Sequence, residues 1–228
     1  MKAMIFAAGK GTRLNPFSYA LPKSLLPLRG RTVIDWILLR LQEAGVREVM
    51  INLHHQGEKI QKYLGNGSGR GLSISYSPEK ELLGTGGGLK QVEEFFEEGT
   101  FLVLNSDMYF EFALAELVAR HRERKAEVTL VLKAGMDTSL YGGIYIDGEG
   151  RVLSLGREKT GTGRLYLFTG ISILEPAVFS YLVRKPSSVI PAYRQMASEN
   201  RPVFGEIAAG RWEDLGTVAN YLSASNIP

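Results

Sequence analysis

The sequence predicts an α/β fold: a three-layer α/β/α sandwich around a mixed, mostly parallel central sheet. Three observations carry that prediction. Apolar runs of strand length recur at Ala3–Ala7, Val49–Leu53 and Phe101–Leu104, as expected of strands covered on both faces. Segments with helical apolar spacing lie between them. The connections are short, which favours strand–helix–strand units.

The elements follow in order. Ala3–Ala7 is the first buried strand, and a glycine- and proline-punctuated loop runs from Ala8 to Arg31. Thr32 caps a helix whose Val33, Ile34, Ile37, Leu38 and Leu41 share a face, and Gly45 ends it. Val49–Leu53 is the next strand. Ile60, Tyr63 and Leu64 mark a short helix, stopped by the glycines of 65–69. Leu72–Tyr76 alternates like a strand, and Phe101–Leu104 is another buried one. A helix over Phe112–Arg124 leads to strand Val128–Leu132. Tyr141–Ile146 and Arg151–Leu155 flank Asp147-Gly148-Glu149-Gly150 as a hairpin. Tyr166–Leu174 is a long strand, Pro176 opens a short helix, and Val189–Ser198 and Val218–Ser225 are helical. No linker, repeat or low-complexity tract interrupts the 228 residues, so a single domain is expected, its hairpin-rich part a small lobe on the same sheet.

Composition narrows the function. Hydrophobic residues make up 44% and charged residues 22%, the balance of an ordinary folded domain. The absence of cysteine excludes a disulfide scaffold, a thiolate metal site and a cysteine nucleophile. A net charge of +3 is too mild to point to nucleic acid. No apolar stretch reaches the ~18 residues a membrane span needs. The apolar N-terminal run is shorter than a signal peptide requires, so a cytoplasmic location is expected.

The strongest motif is Ala7-Ala8-Gly9-Lys10-Gly11-Thr12-Arg13-Leu14, directly after the first strand. Glycines let the backbone turn its N–H groups toward an anion, and an arginine fork suits phosphate oxygens. The position is the carboxyl end of a parallel strand, where open α/β sheets bind ligands. The motif is neither a Walker loop nor Gly-x-Gly-x-x-Gly; on its own it reads equally as a plain turn. Lys23 stands between Pro22 and Pro27 on a stiff loop, and in isolation reads as a surface lysine. Asp107 closes a buried strand, as a Mg²⁺ ligand would, or as a helix cap would. Asp214 lies far away, in Trp212-Glu213-Asp214-Leu215-Gly216-Thr217, and spacing does not bring the two aspartates together. Glu79 and Leu82-Leu83-Gly84-Thr85-Gly86-Gly87-Gly88 form a second glycine loop, able to approach a flat base or simply to turn. His54-His55 lacks metal partners in the pattern, Ser24 and Ser106 lack a base, and Asp35 and Trp36 read as ordinary helix positions.

Together these segments resemble the sugar-1-phosphate nucleotidylyltransferases, over nearly the whole chain. Ala-Ala-Gly-x-Gly-Thr-Arg-Leu at 7–14, Pro-Lys at 22–23 and Trp-x-Asp-Leu-Gly-Thr at 212–217 carry the resemblance. It is similar above all to the small N-acetylmuramate-1-phosphate uridylyltransferases and to mannose-1-phosphate guanylyltransferases. The resemblance implies a Rossmann-like (GT-A-like) fold, with a nucleotide half at about 1–110 and a sugar half at about 111–228. It implies a nucleoside triphosphate, of uridine or guanosine, near Ala8, Gly9, Gly11, Thr12, Arg13, Glu79, Thr85, Gly86 and Ser106. Arg13, Lys23 and Lys159 would be catalytic, and Asp107 and Asp214 would share Mg²⁺. Tyr141, Gly142, Glu158, Thr169 and Gly170 would hold a sugar-1-phosphate. Monomers or homodimers are expected, without nucleic-acid or membrane partners. The sequence departs from the family's pattern in Ser106, commonly glycine, in Thr160, commonly proline, and in the short, glycine-rich 157–164 stretch. No β-helix acyltransferase segment is expected. A regulatory relative that only senses a nucleotide sugar is the other class compatible with the pattern. A glycosyltransferase is disfavoured, because Asn105-Ser106-Asp107 is not Asp-x-Asp.

Overall fold

The computed structural model describes residues 1–136, 143–156 and 163–225. Strand β1 (Lys2–Phe6) opens the chain, and its loop holds a short helix α1 (Phe17–Ala20) and a two-stranded ribbon, β2 (Pro27–Leu28) with β3 (Arg31–Thr32). Then come α2 (Val33–Glu43), β4 (Glu48–Leu53), α3 (Gly57–Leu64), β5 (Ser73–Pro78), α4 (Gly84–Gln91), β6 (Phe101–Asn105) and β7 (Met108–Phe110). The rest is α5 (Leu114–Glu123), β8 (Val128–Lys133), β9 (Gly143–Ile146), β10 (Val152–Gly156), β11 (Arg164–Leu174), α6 (Ile190–Ser198), β12 (Val203–Ile207), β13 (Trp212–Asp214) and α7 (Val218–Ser225).

The main sheet runs β10-β9-β11-β6-β1-β4-β5, with β8 paired to β11 and β12 to β8. Strands β5, β4, β1 and β6 are mutually parallel. Strand β11 is antiparallel to β6, β8 and β9, β12 runs parallel to β8, and β10 reverses again. Every strand of this sheet except β10 and β11 therefore points the same way. The alternation of side chains along β1 sorts the core into two layers. Ala3 and Ile5 pack with Ile34, Ile37, Leu38 and Leu41 on one face, while Met4 packs with Leu89, Phe96, Phe101 and Tyr193 on the other.

Thr32 caps α2 as expected: its hydroxyl accepts from the Asp35 amide, and Asp35 reaches back to the Thr32 amide. Asp35 also binds Tyr63 and Arg70, tying α2 to α3 and the following turn. These bonds lower its carboxyl below the ordinary value against the opposing pull of burial.

One expectation needs correction, and two features are new. The 8–31 stretch is not a plain loop, since it contains α1 and the β2–β3 ribbon. Val203–Ile207, to which the sequence pattern assigned no element, is a strand beside β8, where Gly205 permits close packing on Leu132 and Ile146. Met108–Phe110 and Trp212–Asp214 form an antiparallel ribbon that no local pattern announces.

Candidate active site

The carboxyl ends of β1, β4 and β6 converge on one row, with Phe6 in register with Asn52 and Asn105. The glycine loop leaves from this row. Asn52 anchors its start by accepting from the Ala7 amide at 2.8 Å. Gly11 has φ 66°, a left-handed conformation that a side chain would strain. The Lys23 side chain runs beneath the loop: a Cβ on Gly9 would stand 3.2 Å from Lys23 Nζ, and one on Gly11 3.7 Å from its Cβ. The two motifs are thus one surface. Ala8 is buried, whereas Thr12 and Arg13 are exposed.

Lys23 Nζ donates to Asp107 Oδ2 at 2.6 Å, in an ion pair mostly shielded from solvent. The β7–β13 ribbon brings Asp214 to the same place. Asp214 stands opposite Met108, and the Leu215 amide donates to the Asp107 carbonyl at 2.8 Å. Asp214 also accepts from the Gly216 amide and from Asn220. Arg13 closes the arrangement, since a Cβ at Gly216 would lie 3.0 Å from both Arg13 Nη2 and Asp214 Oδ1. On the other side of the ribbon, Glu213 is held by Arg29 and Arg211.

Arg13, Asp107 and Asp214 line a cleft of about 310 Å³. Its other walls are Phe6, Thr85, Asn105, Phe168–Gly170, Ser172, residues 188–190, Tyr193 and Trp212. Thr169 is fixed from both sides: its hydroxyl donates to the Val131 carbonyl, and its carbonyl accepts from Trp212 Nε1. Gly170, at φ 82°, sits in a register shift of β11 and leaves room for the Asn105 carboxamide. A Cβ there would stand 2.5 Å from Asn105 Nδ2.

Other predicted residues are placed differently. Glu79 is buried; one carboxylate oxygen accepts from Asn52 Nδ2 and the other from the Leu83 amide, so the carboxylate braces the loop from within. Ser106 is fully buried and is not among the residues lining the cleft. The glycines of 84–88 form the start of α4 rather than an open loop. A Cβ on Gly84 would lie 2.5 Å from the Ser187 carbonyl oxygen, and one on Gly86 2.7 Å from that of Ser188. The close approach that these glycines permit is therefore made by the 185–188 backbone. Tyr141, Gly142, Glu158 and Lys159 lie outside the described residues. Sequence reasoning missed Asn105, Ser172, Tyr193 and Trp212. Two carried a signal: Asn105, as a polar residue ending an apolar strand, and Trp212, as the first residue of the Trp-x-Asp-Leu-Gly-Thr motif.

The comparisons with known proteins settle the family. The family described as nucleotidyl transferase matches residues 2–227. The chain belongs to this family. It is 33% identical to the N-acetylmuramate alpha-1-phosphate uridylyltransferase of Neisseria meningitidis serogroup B, over 98% of this chain and 96% of that one. It is 30% identical to the mannose-1-phosphate guanylyltransferase of Mycobacterium tuberculosis, over 98% of this chain. The chain spans a little over three fifths of the longer curated relatives, 63% in that case. A UDP-glucose pyrophosphorylase solved with UDP-glucose superposes with a TM-score of 0.82 at 21% identity, covering 99% of this chain and 97% of that one. This family's three-layer fold is the one the sequence predicted.

Proposed function

We propose that the protein transfers a nucleotidyl group from a nucleoside triphosphate to a sugar-1-phosphate, giving a nucleoside diphosphate sugar and pyrophosphate. The observation that supports this most is that Arg13, Asp107 and Asp214 line one cleft, with Lys23 paired to Asp107 and packed against the glycine loop, in a chain of this family. A sugar-phosphate oxygen attacks the α-phosphorus in line, and the bond to the bridging oxygen of the departing pyrophosphate breaks. The nucleophile is already an anion, so no general base is required. The barrier is the approach of two anions, and the chain's cations lower it. Lys23 releases Asp107 and moves to the α-phosphate; Arg13 holds the leaving pyrophosphate. Backbone N–H groups of Gly9 and Gly11 hold the triphosphate.

The residues present fit Mg²⁺. Asp107 and Asp214 supply a pair of carboxylates beside the phosphate loop, and Mg²⁺ favours one or two carboxylates with substrate phosphates and water. When bound, the ion withdraws charge from the phosphoryl oxygens. Thr85 and Gly86 take the base, read as uridine or guanosine; the names of two relatives, a uridylyltransferase and a guanylyltransferase, support that reading. Tyr141, Gly142, Glu158, Thr169 and Gly170 take the sugar, with Lys159 on its phosphate, so that the nucleotide and sugar halves of the chain meet across the cleft. A cytoplasmic monomer or homodimer completes the reading. No helix among the described residues is long and apolar enough to cross a membrane.

The test is pyrophosphate release with Mg²⁺ across UTP, GTP, CTP, ATP and dTTP, each paired with several sugar-1-phosphates. The expected result is strong release with one nucleotide, abolished in Asp107→Asn. Nucleotide binding without release for every pair would reject the reaction.

A further inference from the structure

The β7–β13 ribbon carries charged groups that the reaction does not use, on the face turned away from the cleft. Side chains alternate along a strand. Trp212 and Asp214 line the cleft, so Glu213 between them points to the other side, opposite Tyr109. There two arginines hold it. Arg211 Nε and Nη2 both donate to its Oε1, at 2.9 and 2.7 Å, and Arg29 Nη2 donates to its Oε2 at 3.2 Å. Arg29 and Glu213 are mostly shielded from solvent, their side chains 14% and 18% exposed. The Arg29 guanidinium rests 4.5 Å from the centre of the Tyr109 ring, which is itself buried edge-on against Trp36. Arg29 stands in the turn between β2 and β3 at φ 48°, a left-handed conformation that suits glycine better. An arginine in so strained a place is there for what its side chain does.

That side chain reaches Asp214 by two routes, both outside the cleft. One runs through Glu213, the neighbour of Asp214 in the chain. The other runs through α7: Arg29 Nη2 also donates to the Ala224 carbonyl at 2.9 Å, and Asn220, on the same helix, donates to Asp214 Oδ2 at 3.1 Å. Such support is needed, because β7 and β13 have three residues each and form a two-stranded ribbon apart from the main sheet. A ribbon of that size holds no fixed geometry by itself. A carboxylate binds a cation well only when its own position is fixed beforehand, and groups behind a ligand commonly change metal affinity by about 10–100-fold. We infer that Arg29, Glu213 and Arg211 form a clamp that sets the Asp214 carboxylate for the divalent cation it shares with Asp107. Arg29 and Glu213 are positioning residues, acting through Asp214. The inference rests on the metal site of the proposed reaction, and its test separates the two.

The experiment is calorimetric titration of the full chain with UTP and GTP analogues that cannot be cleaved between the α- and β-phosphates, once with Mg²⁺ and once with EDTA. The quantity read is the gain in nucleotide affinity that Mg²⁺ confers. The unaltered protein is expected to show a gain of at least tenfold, and Asp214→Asn to lose most of it. Arg29→Gln is expected to shrink the gain at least threefold. Its sign is decisive, because removing a nearby positive charge without moving Asp214 would strengthen the hold on a cation and enlarge the gain. Glu213→Gln, almost the same shape, is expected to shrink the gain as well, and it keeps the test open should Arg29→Gln fail to fold. Arg201→Gln breaks the ion pair with Glu127, outside the cleft, and is expected to leave the gain unchanged. Melting temperatures of all variants record the loss of stability separately. An unchanged or larger gain in Arg29→Gln or in Glu213→Gln, with the gain lost in Asp214→Asn, overturns the clamp and leaves the metal site standing. An equal loss in Arg201→Gln also overturns it. No gain in the unaltered protein, or a full gain in Asp214→Asn, rejects the metal site and the clamp with it.

Discussion

Lys23 and Asp107 face each other at 2.6 Å, and each has a second task in the proposed reaction. Lys23→Met removes the cation that neutralises the α-phosphate; Asp107→Asn removes a metal carboxylate. Both are expected to lower pyrophosphate release by two or more orders of magnitude, in line with the loss of a preorganised transition-state contact. Circular dichroism and thermal melting should show both variants folded, because each side chain sits at the cleft rather than in the core. Near-normal turnover in either variant removes that residue from the machinery. Glu79 shows the opposite case. Its carboxylate ties Asn52 to the Leu83 amide, so Glu79→Gln is expected to reduce thermal stability more than it alters the choice of nucleotide. A melting curve beside a UTP-against-GTP comparison separates the two effects.

At the scale of elements, helix α4 depends on having no side chains where the 185–188 segment crosses it. Ala is a better helix former than Gly by about 1 kcal/mol in an open helix. Here that preference is overridden, because a methyl on Gly86 would press on the Ser188 carbonyl. Gly86→Ala is expected to destabilise the protein by about 1–3 kcal/mol, the cost of overpacking, read by urea denaturation. An increase in stability would show that the 185–188 segment yields. A second prediction concerns helix α5. His121 is fully buried, with Nδ1 on the Thr129 hydroxyl and Nε2 on the Glu175 carboxylate, joining α5 to β8 and to the end of β11. Burial lowers its pKa below 6.5, with Glu175 opposing and Arg122 assisting. Below that pH the unfolded chain binds the proton that the folded one resists, so stability declines as pH falls. The melting temperature is expected to drop more steeply below pH 6.5 than in His121→Gln, and parallel curves would refute it.

Across the whole molecule, the legible parts were those written in local pattern. Continuous apolar runs announced β1, β4 and β6, and Thr32 announced the start of α2, while the reciprocal Asp35 bond was not foreseen. The glycine loop and Lys23 were legible because anion binding demands particular residue types at close spacing. What escaped was long-range. No spacing rule joins Met108 to Asp214, since their pairing depends on how the sheet folds back on itself. Strand β12 was hidden because its glycine interrupts the apolar alternation. That the glycines of 84–88 begin a helix rather than an open loop escaped for a related reason: the backbone they admit comes from residues a hundred positions later. Tyr193, Ser172 and Asn105 come from three separate elements, and only the assembled cleft makes them neighbours.

The β7–β13 ribbon carries a consequence in time. A ribosome that has finished Phe110 has already made the glycine loop, Lys23, Asp107 and the parallel strands that support them. Trp212 and Asp214 are added only after the rest of the main sheet has been synthesised. The nascent chain can therefore gather most of its core while the cleft lacks a wall and its second carboxylate. Strand β13, made after every strand of the main sheet, closes the site, so most of that sheet precedes the wall that completes the cleft.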